Sequence, residues 1–292
     1  MTENKAVSCY LMGGLGNQLF QIFTAISYGI SNQRKIVLPY TETLTTGKER
    51  PTYWNSFLRN LVIFTTRVNK NYSLQRFLTY NERDFQYVEI PPFNQPEIML
   101  FGYFQSYLYF EKDRDALLSM IQLPIQKNNI RQEYSGLFSY NNDITRVISM
   151  HFRLGDYKLN PACHPIMPFE YYHNALASII SNQNNDTHAY KVLYFCEKED
   201  NEYVSTTIQK LSILFPSVYF EKVDDEIPDW KQMLLMSCCH DNIIANSSFS
   251  WWGGYFNDTP DKIVCYPSVW FGPGLQKNVT DLFPQKWTKI LW

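Results

Sequence analysis

The chain has 292 residues, a formal net charge of -2, and 21 Tyr, 20 Phe and 7 Trp. Its near-neutral balance excludes the basic footprint of a nucleic-acid or anionic-membrane binder, so any phosphate has to be met by a few local groups. The length suits two domains of roughly 100–200 residues. No run approaches the ~18–20 apolar residues of a membrane span, and no signal-peptide pattern appears. The aromatics imply first a packed core and only second a sugar-stacking surface.

Residues 6–12 form an apolar run, and Gly13-Gly14-Leu15-Gly16-Asn17-Gln18 follows at once. Leu19, Phe20, Phe23, Ile26 and Ile30 then recur at helical spacing, and Lys35-Ile36-Val37-Leu38 reads as a second strand. A glycine-rich loop between strand and helix brings backbone amides close to a ligand and suits anions. It is neither G-x-G-x-x-G nor a P-loop, which disfavours nicotinamide cofactors and ATP. A tight turn alone would explain the glycines, whereas Asn17 and Gln18 suit hydrogen bonds to sugar hydroxyls.

Residues 40–96 follow neither period, although Tyr53 and Trp54 could stack on a sugar if they are not core. A strand is expected over 97–104 and a helix over 110–120. Asp113-Arg114-Asp115 has the form of a manganese-binding Asp-x-Asp. On a helix, carboxylates two apart diverge, so a solvated face is the better reading.

From residue 145 the pattern becomes regular: strands at 145–151, 190–196, 217–221 and 242–245 alternate with helices at 168–182, 200–214 and 229–238. The strands are apolar throughout, as parallel strands covered on both faces should be. The polar stretch 127–143 is the expected linker, which divides the chain into domains 1–140 and 141–292. The strand at 145–151 feeds His151-Phe152-Arg153-Leu154-Gly155-Asp156-Tyr157, with His151 and Arg153 on one side of an extended segment. The strand at 242–245 runs into Asn246-Ser247-Ser248-Phe249-Ser250-Trp251-Trp252-Gly253. Its hydroxyls and amide can cap a helix, or cap it and cradle an anion.

Six cysteines (Cys9, Cys163, Cys196, Cys238, Cys239 and Cys265) lack C-x-x-C spacing and read as reduced core residues of a cytoplasmic protein. The sequons at Asn71, Asn185, Asn246 and Asn278 are then coincidental.

Taken together, Gly13–Gln21, the Phe101-Gly102-Tyr103-Phe104-Gln105-Ser106-Tyr107 stretch, His151–Tyr157, Ile244–Gly253, Tyr266-Pro267 and Trp270-Phe271 resemble, in order, the α-1,2-fucosyltransferase family. The resemblance implies an α/β GT-B fold, with two Rossmann-like domains facing each other across a cleft. It also implies an inverting, metal-independent transfer of L-fucose from GDP-fucose to a glycan acceptor, such as O2 of a terminal β-linked galactose. The first domain would serve the acceptor and the second the donor, with the last segment packing back on the first. Carried over by residue, Arg153 matches the arginine that binds the donor pyrophosphate, and His151 and Asp156 match its neighbours. These three form the expected catalytic group: His151 and Asp156 are the candidate general bases, and the better reading of Asp156 is that it orients Arg153 through an ion pair. The expected donor site adds Gly14, Asn17, Gln18, Glu197, Asn246, Ser248, Phe249 and Ser250, with no metal ligand and no cofactor.

Two positions depart from the family pattern. Leu154 stands where many relatives have a second arginine, and Cys196-Glu197-Lys198 stands where they often have Ser-Asp-Asp, whose acidic residue is associated with guanine. Competing readings are a protein O-fucosyltransferase, which usually carries a signal and disulfides, and a non-catalytic sugar-nucleotide or glycan-binding protein, which could dispense with Arg153. Oligomeric state is not legible.

Overall fold

The computed structural model describes residues 5–139, 145–182 and 189–292. The boundary expected at 140/141 and the Asn185 sequon lie outside them. Packing divides the chain into one unit up to Pro124 together with Lys277–Pro284, and a second of Ile125–Gln276 with Gln285–Trp292.

In the first unit, β1 (Ala6–Cys9) leads through the glycine loop into α1 (Leu15–Ser31) and returns as β2 (Lys35–Ile36). A small antiparallel pair, β3 (Thr43–Leu44) and β4 (Arg50–Pro51), and two 3-10 turns follow before β5 (Leu78–Asn81) and β6 (Glu97–Phe101). The main sheet has the order β2-β1-β6-β5 and is parallel throughout. α1 is buried on nearly every side, from Leu15 to Gly29 apart from Asn17. The expected helix at 110–120 is a 3-10 turn, Glu111–Asp113, continuing into α2 (Arg114–Met120). Its two carboxylates part as expected: the Ser27 hydroxyl donates to Asp113, while exposed Asp115 meets Arg114 at 3.3 Å.

The second unit begins just ahead of the polar stretch. The first part of that stretch lies in a helix, α3 (Leu123–Glu133), because one of its faces is not polar in practice. Ile130 is buried, and so is the stem of Lys127. The Lys127 ammonium donates to the Phe256 carbonyl at 2.8 Å and pairs with Asp258, as a long side chain buries its methylenes and keeps its charge paired.

The regular alternation then appears: β7 (Thr145–His151), α4 (Phe169–Asn182), β8 (Ala189–Phe195), α5 (Asn201–Leu214), β9 (Val218–Lys222), α6 (Asp229–Cys238), β10 (Asp241–Ile243), α7 (Ser248–Phe256), β11 (Val264–Pro267) and β12 (Thr288–Ile290). α4 buries Tyr171, Tyr172, Ala175, Leu176 and Ile179, at the helical spacing read from the sequence. They join Ile148, Met150 and Val192 in one core. α7 packs closely on α6 at Gly253, where a Cβ would lie 2.8 Å from that of Met236. All six strands are parallel, in the order β12-β11-β10-β7-β8-β9. Counted along the chain from β7, this is the 3-2-1-4-5-6 order of a Rossmann sheet. All six cysteines are unpaired. No helix among the described residues is long and apolar enough to cross a membrane.

Candidate functional site

In the second unit the chain runs from β7 outward to β9, then returns to β10 on the other side of β7. Loops leaving two adjacent strands at such a switch point diverge, and the crevice between them is where open α/β sheets hold ligands. The two loops here are the motifs singled out above: residues 151–157 leave β7 and residues 244–250 leave β10.

His151 ends β7. It is 7% exposed, its ring lies 5.6 Å from that of Phe249, and its Nδ1 has no hydrogen-bond partner. Burial, and secondarily the charge of Arg153, pushes its pKa down to about 3. It is therefore a neutral, weakly basic imidazole at neutral pH.

Arg153 is the centre of the loop. One terminal nitrogen pairs with Glu197 and the other with Asp156, so the guanidinium bridges two carboxylates, and its face lies 4.9 Å from the Tyr157 ring. Burial disfavours its charge, but Glu197, Tyr157 and Asp156 together outweigh burial and raise its pKa. The loop is braced from below by Asp200, which is 1% exposed. Asp200 accepts from the Gly155 amide at 2.9 Å and pairs with Lys158. Gly155 has φ +39°, and a Cβ there would meet the Glu197 carboxylate at 2.5 Å, so glycine keeps Glu197 against Arg153.

On the β10 side, Ser247 is the N-cap of α7 and accepts from the Phe249 amide at 3.3 Å. Replacing it with alanine should lower stability by about 1 kcal/mol, read as a fall in melting temperature. Ser250 is buried, and its hydroxyl accepts from the Ala245 amide at 3.2 Å. Asn246 is also buried; its amide donates to the carbonyls of Pro165 (2.9 Å) and Trp270 (3.1 Å). Its backbone carbonyl accepts from the Tyr157 hydroxyl at 3.1 Å, which ties the two loops together. Asn246 and Ser250 therefore build the turn, while Ser248 and Phe249 are only partly buried in the first turn of α7.

The structure brings His151, Arg153, Asp156, Glu197, Asn246, Ser248, Phe249 and Ser250 into the second unit. Tyr157 and Asp200 are members that motif reading passed over. Tyr157 sat inside the quoted motif, but nothing in the sequence announces that Asp200, well downstream, braces Gly155.

Gly14, Asn17 and Gln18 belong to the first unit. Gly14 is the N-cap of α1. Gln18 is fully buried, and its amide donates to the carbonyls of Gly13 (3.0 Å) and Pro51 (2.9 Å), so it holds the loop from inside. Asn17 accepts from Gln105 at 2.7 Å.

Comparison with known proteins gives the class: the chain is a glycosyltransferase. A sequence model of glycosyl transferase family 11 matches residues 2–290, and the chain belongs to that family. It is 28% identical to the O-antigen biosynthesis glycosyltransferase WbnK of Escherichia coli, over 94% of this chain and 97% of that protein. It is 26% identical to an alpha-1,2-colitosyltransferase, also of Escherichia coli, over 96% and 97% of the two chains. Among solved structures it matches a FUT1 variant of Arabidopsis thaliana in complex with GDP, at 10% identity and a TM-score of 0.48, over 90% of this chain and 70% of that one.

Proposed function

We propose that this glycosyltransferase moves L-fucose from GDP-fucose to a glycan hydroxyl, O2 of a terminal β-linked galactose being the leading acceptor, with inversion and without a metal. The observation that carries the reading is the Arg153 fork, set opposite the capped N-terminus of α7 at the β7/β10 switch point, in a family 11 chain.

Breaking the bond between the sugar's anomeric carbon and the β-phosphate oxygen leaves charge on GDP, which preorganised donors must meet. Arg153 offers a planar fork, and the first amides of α7 offer the positive end of a helix. The acceptor oxygen attacks the face opposite the leaving group, which inverts the anomeric centre, and its proton passes to solvent as the new C–O bond forms. Asp156 orients Arg153 in this scheme, and His151 is too weak a base to take the acceptor proton. Guanine recognition by Glu197 requires that residue to exchange Arg153 for the base.

The likeness to a colitosyltransferase supports a second donor, GDP-colitose, which lacks the 3-hydroxyl of GDP-fucose. GDP release from each donor, with and without β-galactosides and in EDTA, tests both. Acceptor-dependent release that survives EDTA, with an α-1,2 linkage in the product, is the expected result. Fucosylation of a polypeptide hydroxyl would instead mark a protein O-fucosyltransferase. Nucleotide binding without turnover on a broad acceptor panel would mark a binding protein.

A further inference from the structure

The first unit brings two loops of its own together. β1 and β6 are parallel neighbours, so the loops after them leave the same end of the sheet side by side. One is the glycine loop, 13–18, and the other is 102–106. The side-chain hydrogen bond from Gln105 Nε2 to Asn17 Oδ1, 2.7 Å, joins them.

Gln105 is delivered by an unusual turn. Phe104, fully buried, has φ +50°, in the left-handed region that bulky residues rarely adopt and that persists only where the surroundings enforce it. The residue doing so is Glu82, the first after β5. Its Oε2 accepts from the Tyr103 amide at 2.8 Å, its Oε1 accepts from the Phe104 amide at 2.9 Å, and its own amide donates to the Phe101 carbonyl at 2.8 Å. An ionised carboxylate presents two acceptor oxygens to two successive N–H groups, which a glutamine cannot do. On the far side of the turn, the Ser106 hydroxyl anchors to the Asp281 carbonyl at 2.7 Å.

We propose that Glu82 is a positioning residue for the glycine loop: its carboxylate clamps the left-handed turn at Phe104 and so delivers Gln105 to Asn17. The inference deepens the functional reading above and rests on residues 13–18 serving the substrates.

The clamp titrates near neutrality. Burial pushes the Glu82 carboxyl up to about 7 against the lowering effect of its two amide partners, with Lys277 also lowering it and Asp84 raising it. Tyr80 and Tyr109 also lie within its electrostatic reach. Protonation turns one acceptor oxygen into a hydroxyl and loosens the clamp, so turnover should rise with pH through about 7. Stability moves the other way. The folded-state pKa lies above that of the unfolded chain, so the folded protein holds the proton more tightly and loses stability as pH rises from about 4.5 to about 7. A purely structural glutamate would show the second trend without the first.

The test is kcat/KM for GDP release across neutral pH in the wild type, Glu82→Gln, Gln105→Leu and the double variant, with melting curves for each. Glu82→Gln should lower the plateau on the order of tenfold and flatten the profile. The double variant should be little worse than either single one, because both break one chain of contacts. An unchanged rate and profile in Glu82→Gln, or losses that multiply in the double variant, would overturn the proposal. If Glu82→Gln melts too early to assay, Gln105→Leu decides, since it severs the tie to Asn17 and leaves the clamp. Unchanged kcat/KM in that variant would also overturn it. Hydrogen exchange of the segment 13–18 needs no substrate; it should quicken in both single variants, and unchanged exchange counts against Glu82 even if no donor is turned over. A wild type inactive with every donor sinks the donor assignment instead.

Discussion

Arg153→Ala and Arg153→Lys should each give a folded protein whose transfer rate has fallen on the order of 10²–10³-fold, the usual result of removing one preorganised donor from a developing oxyanion. The lysine variant is the more telling. Arg153 uses two terminal nitrogens on two different carboxylates, Asp156 and Glu197, while its face lies on Tyr157. A lysine carries a single point of charge on a flexible stem and cannot reproduce that bridge. The sequence offers no second arginine as a substitute, because Leu154 is buried in the core. Stability should change little, since Asp156 and Glu197 keep substantial solvent contact and pairs of that kind contribute modestly. The measurement is acceptor-dependent GDP release alongside a melting curve. Near-normal turnover by either folded variant would remove Arg153 from the chemistry.

The largest stability effect should come from the pair that anchors β10. Asp241 is fully buried and meets Arg146 of β7 through both of its oxygens, at 2.6 and 2.8 Å, and it also accepts from the Ile263 amide at 2.8 Å. Asp241→Ala strips a mostly buried guanidinium of its carboxylate and should cost about 3–5 kcal/mol, or on the order of 10 °C in melting temperature for a unit of this size. Burying the pair was itself expensive, because both ions gave up water. Arg146→Met combined with Asp241→Leu should therefore be more stable than Asp241→Ala alone. A double variant that melts below the single one would show that the ion pair stabilises the sheet beyond what apolar packing can replace.

The second unit was legible because its elements obey simple periods. Tyr172, Ala175, Leu176 and Ile179 repeat at helical spacing, β8 is apolar but for Lys191, and β7 carries the buried run Val147-Ile148. What no local pattern could give is the pairing of β7 with β10, about ninety residues later in the chain, and that pairing makes the site. Residues 40–96 resisted reading for a different reason. Their strands β3 and β4 are two residues long, and Tyr53, Trp54, Phe57, Leu58 and Leu61 are buried by tertiary contacts that follow neither period. Tyr53 and Trp54 accordingly belong to the core and not to a sugar-stacking face. Within the site, the i,i+3 relation of Arg153 and Asp156 was visible in the motif, whereas Glu197 reaches Arg153 from the end of the neighbouring strand. Gln18, Asn246 and Ser250 have a role in the fold that residue type alone does not announce. A buried amide or hydroxyl satisfies backbone groups as readily as it binds a ligand; the NH2 groups of Gln18 and Asn246 and the Ser250 hydroxyl do the former, while the side-chain oxygens of Gln18 and Asn246 have no hydrogen-bond partner.

The short stretch Lys277–Pro284, which leaves the second unit to complete the first, bears on how the protein is made. Asp281 receives the Ser106 hydroxyl on its carbonyl and the Tyr87 amide on its carboxylate, and Leu282 and Phe283 are buried. On the ribosome residues 5–124 of the first unit lack these partners until the chain has been made through Pro284. Domains commonly fold in order as they leave the exit tunnel. Here the second unit can assemble β7 to β11 while the first still waits for its closing piece, so the amino-terminal unit cannot close before most of the second has been made.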